Sequence, residues 1–60
     1  MENIEIKTGQ KVFLTEGACK GHFGTITRFI DEETYEVLTD IQSWTDVYTA
    51  VEKNEFYLVD

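Results

Sequence analysis

Three of the chain's four glycines, Gly17, Gly21 and Gly24, fall within eight positions of one another. They open onto Thr25-Ile26-Thr27, an alternating run rich in β-branched residues. Glycine is favoured where the backbone needs positive φ or where another segment passes close by. β-Branched alternation suits a pleated surface buried on one side. Together they predict a loop that turns tightly into a bent strand. A phosphate-cradling loop also uses glycines, but it wants a helix directly after them, so that the helix N-terminus faces the anion. The residues after Gly24 read as a strand instead.

The same two-residue period recurs along the chain, whereas helical spacing does not. Val12-Phe13-Leu14, Tyr35-Glu36-Val37 and the closing Phe56–Val59 read as strands, and Asn3–Ile6 alternates too. From Trp44 to Val51 the pattern places Val47, Thr49 and Val51 on one face and Trp44, Asp46 and Tyr48 on the other. Turn residues separate these runs at Thr8-Gly9, Asp31-Glu32-Glu33 and Asp40–Ser43. The polar stretch Val51–Glu55 is too short for a stable helix, so one tight 3-10 turn is expected there. The prediction is an all-β chain of about five short strands, forming one domain over residues 1–60. A small bent barrel is the economical solution, because closure removes most free strand edges. The core candidates are Val12, Leu14, Ile26, Tyr35, Val37, Val47, Val51, Phe56 and Leu58.

Apolar packing alone must hold such a chain together. A domain of this length buries only about 60% of the surface its unfolded form exposes. Its single cysteine, Cys19, allows no intrachain disulfide. One cysteine and one histidine, His22, cannot close a tetrahedral zinc site. No cofactor or metal is therefore expected. No run approaches the roughly 20 apolar residues of a membrane span. The start, MENIEIKTGQ, lacks the basic and apolar segments of a secretory signal. With one free thiol, a cytoplasmic location is expected.

Several residues at motif spacing carry a family resemblance. Gly9-Gln10-Lys11-Val12, Gly17, Lys20-Gly21, Gly24-Thr25-Ile26 and Ile30-Asp31 together resemble the KOW motif over residues 8–31. That motif occurs in large-subunit ribosomal proteins and bacterial transcription elongation factors. The resemblance implies an SH3-like five-stranded small barrel with one short helical turn before the last strand. It also implies an interaction surface carried on loops. Gln10 stands where the motif has an acid, and Ala18 where proline is common. RNA-binding members tend to be basic, whereas this chain carries a net charge of -7.

The charge divides along the chain. Residues 6–30 sum to +3, residues 31–60 to -8. An acidic half favours a basic partner surface and speeds encounter by steering. The expected function is a small acidic accessory or regulatory module that docks on a partner protein. Its candidate contacts are Trp44, Asp46, Tyr48, Glu32, Glu33 and Glu36. One version is a mimic of nucleic-acid charge, of the kind a phage or mobile element would encode. The alternative is a KOW-like RNA- or DNA-binding module using Lys11, Lys20, His22 and Arg28, with Phe13, Phe23 and Phe29 as stacking faces. Against that alternative stands the reading of most phenylalanines as core. Trp44 has two further readings: a cap on the open end of the core, or part of a cation cage with Phe23, Tyr48 and Asp46.

Catalytic chemistry has little to work with. Cys19, His22 and Glu16 lie close in sequence, but a loop pair is not an activated nucleophile. Asp31-Glu32-Glu33 reads as a solvated turn. A non-enzyme is expected, monomeric or weakly dimeric through an open barrel edge.

Overall fold

The computed structural model describes residues 6–59. Strands form at Lys11–Leu14 (β1), Phe23–Phe29 (β2), Thr34–Thr39 (β3), Tyr48–Glu52 (β4) and Phe56–Val59 (β5). A single 3-10 turn, Lys53–Glu55, joins β4 to β5. The chain is all-β, with five antiparallel strands in one sheet of order β4-β3-β2-β1-β5. The first four strands follow one another as hairpins, and β5 returns to the far side of β1. Alternating residues 3–5 lie outside the described residues.

The sheet must curl. Val51 on β4 and Phe56 on β5 belong to opposite edges, yet both lie in one buried cluster with Val12, Leu14, Ile26, Tyr35 and Val37. Strands stand about 4.8 Å apart, so a flat five-stranded sheet would hold its edges about 19 Å from each other. Curling brings the inner faces together and leaves β4 and β5 as the two edges of the ladder.

Period-two alternation builds the core as expected. Val12, Leu14 and Val37 are completely buried, and Ile26 nearly so. Burying such a side chain stabilises by about 1.5–3 kcal/mol relative to leaving it in water. Val47 and Leu58, expected in the core, are half-buried and pack against it. Cys19 joins the core from the β1–β2 loop, a position that alternation does not reveal.

The glycines serve two different purposes. Gly21 has φ +89°, and its N–H donates to Leu14 O at 2.8 Å, folding the β1–β2 loop back on itself. Gly24 has ordinary φ but no room. A Cβ there would collide with Val37 Cγ1 and stand 2.9 Å from Leu38 O. That close approach lets β2 and β3 pair tightly where Gly24 faces Thr39.

Two local departures from the predicted pattern matter for the surface. A register shift between Ile26 and Arg28 leaves Thr27 as a bulge, so the end of β2 does not continue the alternation of its beginning. The strand predicted from Trp44 begins only at Tyr48. Thr39 is responsible: its N–H and its hydroxyl both donate to Val47 O, at 2.9 and 2.8 Å. These bonds close residues 40–47 into a loop and leave Trp44 and Asp46 outside the ladder.

Candidate functional site

The outward rows of β1, β2 and β5 build an aromatic surface. In antiparallel pairs, directly opposed residues share a face. Phe13 opposes Phe23 on one side and Tyr57 on the other, so three rings run in one row across three strands. Phe13 meets Phe23 edge-on at 4.9 Å between centroids, and Tyr57 at 5.4 Å in a tilted arrangement. Phe13 is half-buried between its neighbours, while Phe23 and Tyr57 remain 37% and 58% exposed.

Lys11 occupies the next row of β1, opposite Thr25 and Val59. Its ammonium stands 5.0 Å from the centre of the Phe23 ring, within reach of the ring's negative face. Beside it, Lys11, Phe23, Thr25, Leu38 and Asp40 line an open depression. These two rows, over β5, β1 and Phe23–Thr25, contain one charged residue, Lys11, and the Asp40 carboxylate borders the same depression. Next to Phe23, His22 Nδ1 lies 3.1 Å from Asp40 Oδ1, tying the β1–β2 loop to the β3–β4 loop.

The other end of β2 is acidic. Asp31, Glu32 and Glu33 form the exposed turn to β3. The Glu33 N–H donates to Asp31 Oδ1 at 2.9 Å, and this bond holds the Asp31 carboxyl below the usual aspartate range. Glu52 opposes Thr34 across the β3–β4 ladder. Four carboxylates, those of Asp31, Glu32, Glu33 and Glu52, therefore line one open hollow with Thr34, and no cation is among its lining residues. Glu36 is engaged elsewhere: its Oε1 accepts from Arg28 Nε at 3.1 Å and from the Thr27 hydroxyl at 3.0 Å.

The predicted contacts are thus only partly assembled. Glu32 and Glu33 lie together, but Glu36 is paired with Arg28. Trp44 is fully exposed in the 40–47 loop, which rules out its role as a core cap. Tyr48 is half-exposed at the start of β4, and Asp46 is exposed. No ring contact joins Phe23 to Trp44 or Tyr48 among the described residues, so the three rings form no cage. Of the basic set, Lys11 lies beside Phe23, while Lys20 and His22 lie exposed in the loop leading to it. Arg28 stands apart, past the bulge. Phe23 and Phe29 are on the surface rather than in the core, and only Phe56 of the four phenylalanines is buried. Local sequence gives no sign of Tyr57. Its membership depends on the β1–β5 register, which joins residues far apart in sequence.

Cys19 is buried and His22 exposed, with its Nδ1 engaged by Asp40, so the two form no nucleophile–base pair. No group of three or more His, Cys, Asp or Glu among the described residues has metal-binding geometry. No helix among them is long and apolar enough to cross a membrane. No protein-family model, curated protein or solved structure matches the chain.

Proposed function

We propose that this chain is a small accessory module that docks on a basic partner protein and carries out no chemistry itself. The observation behind this reading is the hollow lined by Asp31, Glu32, Glu33 and Glu52. Like charges gathered around one hollow repel one another and disfavour the compact state, and of the chain's cations only Lys53, in the adjoining hollow with Asp31 and Glu32, lies beside them among the lining residues. A partner's cationic surface relieves that repulsion and is steered toward it over a distance. Trp44 and Tyr48 supply exposed aromatic surface of the type that dominates binding energy at interfaces. The resemblance to KOW-type barrels agrees with a loop-borne interaction surface, and the concentrated acid agrees with a mimic of nucleic-acid charge.

The test uses a combined variant, Glu32→Gln, Glu33→Gln and Glu52→Gln. Glu36 is left alone because Arg28 already neutralises it. The immobilised chain should capture a basic protein from its source lysate at low salt and release it at high salt. The triple variant should bind that protein more slowly, with a flatter salt dependence. Equal rates and equal salt dependence for the two chains would refute the proposal.

A further inference from the structure

We infer that the open edge of β4 takes up an extended segment of a basic partner protein, which joins the sheet as an added strand. The inference rests on the acidic docking proposed above and specifies how that docking is made.

Strand pairing fixes which groups the edge offers. Thr39 follows Leu38 in the β3–β4 register and so opposes Val47, and its N–H donates to Val47 O. In an antiparallel ladder, opposed pairs that exchange hydrogen bonds alternate with pairs that do not. Val47, Thr49 and Val51 therefore turn their backbone groups toward β3, while Tyr48, Ala50 and Glu52 turn theirs away. Glu52 agrees with this phase, since its N–H donates to the Glu55 carboxylate rather than to β3. The N–H and C=O of Tyr48 and of Ala50 have no hydrogen-bond partner among the described residues. They form a row to which an extended chain can add by main-chain hydrogen bonds.

Proteins usually blunt a free edge with lysine, proline or a bulge. Tyr48–Glu52 has none of these, and its register with β3 is unbroken. Tyr48, Ala50 and Glu52 are exposed, so the small Ala50 leaves room between two larger side chains.

Charge selects the occupant. Residues 40–52 contain Asp40, Asp46 and Glu52 and no lysine or arginine. Glu52 also lines the hollow with Asp31, Glu32 and Glu33. Nearby, Lys53 stands in the adjoining hollow, and Arg28 is held by Glu36. A lysine or arginine where the segment passes Glu52 would meet these carboxylates, and an apolar residue farther along would meet Tyr48. Tyr48 and Glu52 are about 13 Å apart along the strand, a span that five extended residues match. The other edge, Phe56–Val59, has no charged residue with which to choose a basic segment. All the ladders of the sheet are antiparallel, so the added strand is expected to run antiparallel to β4.

The test is amide NMR and hydrogen exchange on the labelled chain with a capped heptapeptide, Lys-Thr-Lys-Val-Val-Thr-Tyr. In the antiparallel register its second lysine faces Glu52, and its second valine and its tyrosine face Ala50 and Tyr48. At ten times its dissociation constant it should slow exchange of the Tyr48 and Ala50 amides about 10-fold. The amides of Thr49 and Val51, already turned toward β3, should change little. N-methylation of the second valine and the tyrosine removes two N–H donors and keeps the side chains, so it should abolish this protection. Glutamate in place of both lysines should weaken binding at low salt. Ala50→Pro removes an outward N–H and no β3 bond, a change that edge strands tolerate. It should weaken peptide binding about 5- to 10-fold. An unchanged amide spectrum in the remaining strands is the check on its fold, and the methylated peptide tests the edge without altering the chain.

Unprotected Tyr48 and Ala50 amides up to about millimolar peptide would overturn the inference. If salt-sensitive shifts at Asp31, Glu32, Glu33 and Glu52 persist in that case, acidic docking survives without strand addition. Equal protection by the methylated peptide would likewise overturn the inference. Equal binding of the lysine and glutamate peptides would refute acidic docking, and with it the occupant named here. If the two amides become protected without peptide as the chain is concentrated, the strand comes from a second copy and the inference fails.

Discussion

The two ends of β2 begin with the same ingredients, a phenylalanine and a nearby cation, and use them in opposite ways. At the start of the strand, Phe23 meets another surface ring and carries Lys11 over its face. At its end, Phe29 meets Tyr35 edge-on at 5.2 Å, and Tyr35 belongs to the core. Arg28, the cation there, is held by Glu36. Between the two lies the bulge at Thr27. Residue type therefore does not decide which end presents a charged aromatic surface. Neighbours brought by strand pairing do.

The largest test of this contrast is Gly24→Ala. The new methyl would meet Val37 and the Leu38 carbonyl, so β2 and β3 must separate locally. Overpacking of this kind costs about 1–3 kcal/mol, sometimes more. A chain of this size has a total stability of roughly 3–9 kcal/mol. Urea melts should therefore show a much lower midpoint. A midpoint close to that of the parent chain would mean that the tight pairing at the start of β2 is not needed.

A smaller effect separates the two phenylalanines. Phe23→Leu and Phe29→Leu should each lose about 0.5–1.5 kcal/mol of ring-pair stabilisation. Their melting curves should look alike. Only Phe29→Leu should shift the ring resonances of Tyr35, because Phe29 packs on that core ring whereas Phe23 packs on Phe13. Equal shifts of the Tyr35 ring in both variants would erase the distinction between the ends.

The smallest effect is electrostatic and belongs to the acidic end. Asp31 is exposed, and its carboxyl is held low first by the Glu33 N–H, against an opposing contribution from desolvation and with lesser help from hydrogen bonds to Thr34. A carboxyl lowered in the folded state supports folding above its unfolded value of about 3.9. That support fades as pH falls through the lower folded value. In a pH titration, the Glu33 amide shift should report a midpoint below the ordinary aspartate range. The Phe23 amide, at the other end of the strand, should not follow it. A midpoint at or above the ordinary value would mean that the turn bond does not persist in solution.

These contrasts mark how far the sequence can be read. Strand positions follow from local alternation, which is why Val12, Leu14, Ile26 and Val37 are identifiable as core. The acidic turn and the 3-10 turn are legible for the same reason, since a few neighbouring residues specify each. The 3-10 turn is further held by Glu55, whose carboxylate accepts from the Glu52 N–H at 2.9 Å. What stays hidden depends on partners distant in sequence. Trp44 alternates correctly for a strand, but Thr39 closes the loop that removes it. Tyr57 looks like any residue of a closing strand until the register with β1 places it beside Phe13. Arg28 looks as available as Lys11 until Glu36 is found opposite it.

The position of Trp44 has a practical consequence for anyone handling this protein. It is the chain's only tryptophan, and its indole is bathed in water in the native state. Its fluorescence will therefore have the red-shifted colour usually taken as a sign of denaturation, and unfolding will scarcely change it. A fluorimeter would score a sound preparation as a failed one. Circular dichroism or tyrosine absorbance would follow the folded state correctly, because Tyr35 is enclosed by the core.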